Sequence, residues 1–137
     1  LLPFGKGRLV LKGDELSIIT WGAMVQKCIE AVQKLNFDDG LIEIVDIRTL
    51  NPLDLGMIEK SLTKTGKILI VHEDNLTNGP GAEIAALIAD RYFELLDGPI
   101  SRIAAKDSPI PYNWFLEEGV LPQTKDISDA ILKILEY

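Results

Sequence analysis

The stretch Lys67-Ile68-Leu69-Ile70-Val71 constrains the fold more than any other part of this chain. Its apolar run follows a glycine and precedes a polar segment, and it leaves neither face of a strand free for water. Such a strand is predicted to sit at the centre of a sheet covered on both sides, as in parallel α/β architectures. The flanking sequence supplies the covering helices. Asn51-Pro52-Leu53-Asp54 opens one, with Asp54 as N-cap, Leu55, Ile58 and Leu62 as its apolar stripe, and Gly66 as its stop. On the other side a polar loop, His72 to Asn78, leads into Gly79-Pro80-Gly81, and Pro80 suits the first position of a helix. Ile84, Leu87, Ile88, Tyr92 and Leu95 give that helix its stripe, and Ala82, Ala85, Ala86 and Ala89 allow close packing.

The same alternation runs through the rest of the chain. Gly7 to Leu11 and Leu16 to Thr20 read as short neighbouring strands, antiparallel because the Gly13-Asp14 link is too short for a parallel crossover. From Trp21 a helical pattern places Val25, Cys28, Ile29, Val32 and Leu35 on one face, and Asn36 to Gly40 ends it. Leu41 to Val45 is a buried-type strand and Ile100 to Ala104 a last short one. Lys106 to Thr124 holds Pro109, Pro111 and Pro122 and is predicted to be irregular. Asp126 then caps a final helix with Ile127, Ala130, Ile131, Ile134 and Leu135 inward. The sum is an α/β domain of three α/β/α layers, with about five strands, four helices and a mostly parallel sheet.

Composition narrows the function. A chain of 137 residues, 47% hydrophobic, is large enough for one core. A net charge of −7 argues against nucleic acid and against an anionic membrane surface as partner. No apolar run approaches the length of a membrane helix. One Cys and one His exclude an internal disulfide and the usual four-ligand zinc site, and suit the cytoplasm or another reducing compartment. No calcium-type Asp/Glu loop is present. The start at Leu1 has neither signal-peptide architecture nor an initiator Met, so the chain is expected to be processed or part of something longer.

No self-contained catalytic set emerges. Cys28 lies on an apolar helical stripe, where a thiol is inert. His72 follows the central strand, where open α/β sheets place ligands, and Glu73 and Asp74 follow it. A capping or interface role for His72 is preferred over catalysis, because no nucleophile is paired with it and no Gly-x-Ser-x-Gly elbow exists for a hydrolase. Gly79-Pro80-Gly81 precedes a helix N-terminus and invites a phosphate, yet Ile84 stands where a dinucleotide motif needs glycine, and acidic neighbours oppose an anion. A tight strand-to-helix turn is preferred. Tyr112, Trp114 and Phe115 either fold back on the core or form a contact surface, and both readings stand.

Several segments, taken in order, resemble a known family. They include Pro3-Phe4-Gly5-Lys6-Gly7, Thr20-Trp21-Gly22, Val45 to Asp54, Lys64-Thr65-Gly66-Lys67, and His72-Glu73 with Leu76-Thr77-Asn78-Gly79. Gly81 to Ile84, Leu96-Asp97-Gly98-Pro99, Asp107 to Tyr112, Leu121-Pro122 and Lys125-Asp126-Ile127 continue the series. Together they resemble the C-terminal domain of the β subunit of 2-oxoacid dehydrogenase complexes, a transketolase C-terminal domain. Trp21-Gly22 and the His72 to Thr77 segment look most like branched-chain (2-oxoisovalerate) members, with pyruvate members next.

The resemblance implies a five-stranded mixed sheet with one antiparallel strand. Residues 1–6 would link it to an upstream domain, and residues 7–137 would form the domain. The parent enzyme would be an oxidative decarboxylase that uses thiamine diphosphate and magnesium and passes the acyl group to a lipoyl arm. Neither cofactor would be bound here, so no catalytic, cofactor or metal residue is assigned. The domain would build contacts with other subunits of a dimer or an α2β2 enzyme, and would dock the peripheral subunit-binding domain of the acyltransferase. Asp97 and the terminal carboxylate of Tyr137 match the family's docking positions, and His72 and Glu73 join them as candidate contact residues. The competing expectation is a stand-alone small-molecule-binding module that uses the 72–81 loop.

Overall fold

The computed structural model describes residues 3–37 and 40–137. Its five strands are β1 (Arg8–Leu11), β2 (Leu16–Thr20), β3 (Ile42–Asp46), β4 (Ile68–Asn75) and β5 (Ile100–Ala105). They form one sheet in the order β1-β3-β2-β4-β5. All neighbouring pairs are parallel except β1 with β3. The helices are α1 (Met24–Leu35), α2 (Leu55–Thr65), α3 (Pro80–Arg91), the short α4 (Trp114–Glu118) and α5 (Thr124–Leu135), with a 3₁₀ turn at Phe93–Leu95.

The period of two along each strand sends alternate residues into two separate cores. Leu16 and Ile18 of β2, Ile44 of β3, and Leu69 and Val71 of β4 meet Met24, Cys28 and Ala31 of α1 and Ile127, Ile131 and Ile134 of α5. Ile19, Val45, Ile68 and Ile70 face the other way, onto Ile58 and Leu62 of α2 and Ile84 and Ile88 of α3. The run that suggested a central strand is therefore buried on both faces. The fold is the expected three-layer α/β arrangement with one antiparallel strand.

The antiparallel strand has a different partner from the one expected. β1 pairs with β3, not with β2. The link between β1 and β2 crosses the start of β3 instead of turning back beside β1. Asp14 N–H donates to Gly40 O at 2.9 Å and Glu15 N–H to Leu41 O at 3.0 Å. A Cβ on Gly13 would run into the backbone of Ile42 and Glu43, so only glycine makes this crossing. β2 then enters between β3 and β4, with all five residues buried.

Asp54 caps α2 by accepting from Met57 N–H, and Gly66 ends it in the left-handed region, both as expected. Three helical readings are corrected. α3 stops at Arg91, so Leu95 lies in the 3₁₀ turn. The N-cap of α5 is Gln123, while Asp126 is the third helical residue and completes a capping box. The proline-rich excursion contains α4, capped by Asn113, which accepts from Phe115 N–H at 2.9 Å.

Candidate functional site

β2 leads through α1 to β3 on one side, whereas β4 leads through α3 to β5 on the other. The carboxyl ends of β2 and β4 are therefore the place where the chain changes direction across the sheet, and where α/β folds open a crevice. A cleft of about 460 Å³ lies there. Trp21, directly after β2, lines it together with Glu73 and Asp74 of β4 and Pro80 of α3, and Ile110, Glu117 and Leu121 approach from the excursion. Two bare helix N-termini border this crevice, since neither Ala23 before α1 nor Gly79 before α3 provides a side-chain cap.

His72 lies within β4, not in a loop after it, and is fully buried. It points to the same face as Ile70, toward α3. Its ring stacks on Trp21 with centroids 5.1 Å apart and planes within 7°. Among the described residues neither ring nitrogen meets a hydrogen-bond partner. The imidazole fills the space in which a side chain on Gly81 would stand, while a Cβ on Gly79 would meet the Asn75 carbonyl, so both glycines are explained by close approach. Burial lowers the His72 pKa below its ordinary value; nearby Asp74 opposes that shift and Arg102 reinforces it. A buried, neutral imidazole with no hydroxyl or thiol bonded to it lacks the geometry of a general base. Cys28 is likewise buried, and desolvation pushes its thiol up to about 12.

The diphosphate and magnesium expected in the parent enzyme do not fit here. The first turn of α3 is filled by His72, and the carboxylates of Glu73, Asp74 and Glu83 stand at or near it. Among the described residues no three metal-ligating side chains come together.

The four candidate contact residues fall at two opposite ends of the sheet. His72 and Glu73 belong to the cleft. Asp97 lies at the far end, where its N–H donates to Gly66 O at 2.7 Å and its carboxylate fills the place of a Cβ on Gly66. The adjacent Gly98 faces Tyr137, whose Cβ would be 3.6 Å from a Cβ on Gly98. Asp97 and Tyr137 are thus brought together and exposed, but at a distance in the fold from the other pair.

Sequence reading missed three features. The helical pattern read from Trp21 begins at Met24, so Trp21 itself stands free of the helix; an aromatic directly after a buried strand is the available signal. Thr77 donates through its N–H and Oγ1 to the Asp107 carboxylate at 2.9 and 2.5 Å, and Arg102 Nη1 donates to Leu76 O at 2.9 Å. The first contact ties the excursion, and the second β5, to the β4–α3 connection, and nothing in the sequence marks them. The third is a buried polar knot at the opposite end. Ser61 Oγ donates to Glu43 Oε1 at 2.6 Å, Lys64 pairs with Oε2, and Ser17 Oγ lies 2.6 Å from Ser61 Oγ and 2.7 Å from Thr65 Oγ1. A glutamate inside an apolar strand was its only trace. The three aromatics weighed above resolve toward the surface, with Tyr112, Trp114 and Phe115 all strongly exposed.

A five-stranded mixed sheet between two helical layers, crossed at Gly13 and opening at the β2–β4 crevice, defines a known class. The family model for the transketolase C-terminal domain matches residues 5–127, and the chain belongs to that family. Among curated relatives, "Pyruvate dehydrogenase E1 component subunit beta" of Rickettsia bellii is 35% identical over 133 residues, covering 97% of this chain and 41% of the relative. The protein of the same name from Cyanidium caldarium is 40% identical over 136 residues, covering 99% of this chain and 42% of that one. The chain therefore spans about two fifths of the length of these relatives. A solved structure described as "Split gene transketolase, inactive beta4 tetramer" superposes with a TM-score of 0.83 at 23% identity, over 98% of this chain and 44% of that chain, which shows the fold.

Proposed function

We propose that this chain is the C-terminal, assembly-forming domain of the β subunit of a pyruvate-type E1 component, within an oxidative decarboxylase dependent on thiamine diphosphate and magnesium. The observation that carries this reading is identity of 35–40% across nearly the whole chain to subunits bearing that name. The branched-chain type expected from the Trp21-Gly22 and His72 to Thr77 segments gives way to the pyruvate type, because the relatives described above carry the pyruvate name. In this reading residues 1–6 join the domain to an upstream cofactor-binding part, and the reactive centre lies outside residues 7–137. Other subunits of the enzyme cover parts of its surface. Asp97 and Tyr137 dock the peripheral subunit-binding domain of the lipoyl acyltransferase, Asp97 through charge-assisted pairs with Arg or Lys. Their adjacency at one end of the fold supports that assignment.

A domain exchange tests the proposal. This chain replaces the corresponding part of a pyruvate dehydrogenase E1 β subunit and, separately, of a branched-chain E1 β subunit. Assembly and pyruvate turnover are expected in the first chimera and failed assembly in the second. The reverse pattern, or failure of both with the domain folded, contradicts the assignment.

A further inference from the structure

The cleft at the carboxyl ends of β2 and β4 carries one sign of charge without a counter-charge. Glu73 and Asp74 enter it from β4 and Glu117 from α4, and among the described residues no lysine or arginine lines it. The ion pairs among the described residues are Lys6–Asp54, Arg8–Asp46 and Lys64–Glu43, and none uses these carboxylates. The cleft is also aromatic. Trp21 is backed by the parallel ring of His72, and burial disfavours the charged form of that imidazole, so the ring stacked on the indole is not itself a cation. Leu50 and Ile110 line the cleft and are exposed, and the excursion also exposes Tyr112, Trp114 and Phe115. Exposed apolar residues grouped in this way mark a contact surface.

We propose that this edge docks a polypeptide segment of a partner, inserting one arginine side chain into the cleft while apolar residues beside that arginine rest on Leu50 and Ile110. Charge complementarity selects a cation, and the apolar rim selects a peptide over a free ion. Arginine fits better than lysine, because a planar, weakly hydrated guanidinium stacks on an indole and serves carboxylates arriving from different directions. The surface lies at the opposite end of the sheet from Asp97 and Tyr137, so the inference stands or falls separately from the docking role proposed for those two.

The test uses the ¹⁵N-labelled 137-residue chain and its two indole N–H signals, with Trp114→Phe identifying that of Trp21. The probe is acetyl-Leu-Arg-Leu-amide. The control peptide carries citrulline, the uncharged isostere, in place of arginine. A saturating shift of the Trp21 signal is expected within about 10 mM arginine peptide, a range suited to a single weak anchor. The midpoint rises about tenfold for the citrulline peptide, and about tenfold for the Glu73→Gln/Glu117→Gln double variant, because the charge pairs are lost. Asp97→Asn leaves the midpoint unchanged. Both variants alter carboxylates outside the core, and an otherwise unchanged spectrum confirms the fold. The proposal is overturned by no saturation, by equal midpoints for the two peptides, or by loss of binding in Asp97→Asn. A Trp21 shift that follows protein concentration alone also overturns it, by assigning the face to a second copy.

Discussion

At the N-terminal ends of the parallel strands, Glu43 is buried within a closed network: Ser61 and Lys64 donate to its carboxylate, and Ser17 and Thr65 complete the knot. At the carboxyl ends, His72 is just as buried, and among the described residues it has no hydrogen-bond partner and neither Glu73, Asp74 nor Glu117 forms an ion pair. One end of the sheet uses its polar groups internally to hold β2, β3 and α2 in register. The other leaves charge, aromatic surface and helix N-termini unspent. In the docking proposed above, this second end is the one that meets a partner.

Four substitutions or titrations break or sharpen this contrast. The largest effect is expected at Gly13, where any side chain meets the backbone of Ile42 and Glu43. Gly13→Val should lower unfolding stability by on the order of 4 kcal/mol, read by chemical denaturation. A loss below about 1 kcal/mol would mean that the crossing relaxes easily. Next comes Ser61→Ala, which removes a donor to buried Glu43 and a partner of Ser17, at a cost of about 2 kcal/mol.

The third effect is a pH dependence. The His72 pKa in the fold lies below its ordinary 6.5. The unfolded chain thus binds a proton first as pH falls. The stability owed to neutral His72 is complete above pH 6.5 and declines as pH drops from 6.5 toward the folded value. Denaturation midpoints at pH 7.5 and 5.5 should separate in the native chain and draw closer in His72→Phe. An equal separation in both would remove His72 from the explanation. The smallest effect belongs to Glu73→Gln or Asp74→Asn, each expected within about 0.5 kcal/mol of the parent because neither forms an ion pair. A loss as large as that of Ser61→Ala would abolish the distinction between the two ends.

Most of the architecture was legible in the residues. The apolar run at Ile68–Val71, the cap at Asp54, the stop at Gly66 and the proline opening α3 are local signals, and local signals survive into the fold. What was not legible depends on approach between segments distant in sequence. Gly13 reads as a turn until β3 is seen passing beneath it. The polar context of Glu73 to Asn75 suggested that β4 ended early, whereas pairing with β5 extends it to Asn75 and buries His72 on the way. Gly81 invited a phosphate reading because a sequence shows the absence of a side chain but not that an imidazole fills the space. The site was legible as a region, through His72 and Glu73, but its aromatic floor at Trp21 and its third carboxylate at Glu117 come from other elements.

Amide hydrogen exchange on the chain alone and on the same chain within the assembled chimera tests the contrast most directly. Protection is expected to rise on assembly at residues 72–79 and 106–121, while residues 12–17 and 61–65 exchange equally slowly in both. New protection confined to 12–17 and 61–65, with 106–121 unchanged, would contradict the account.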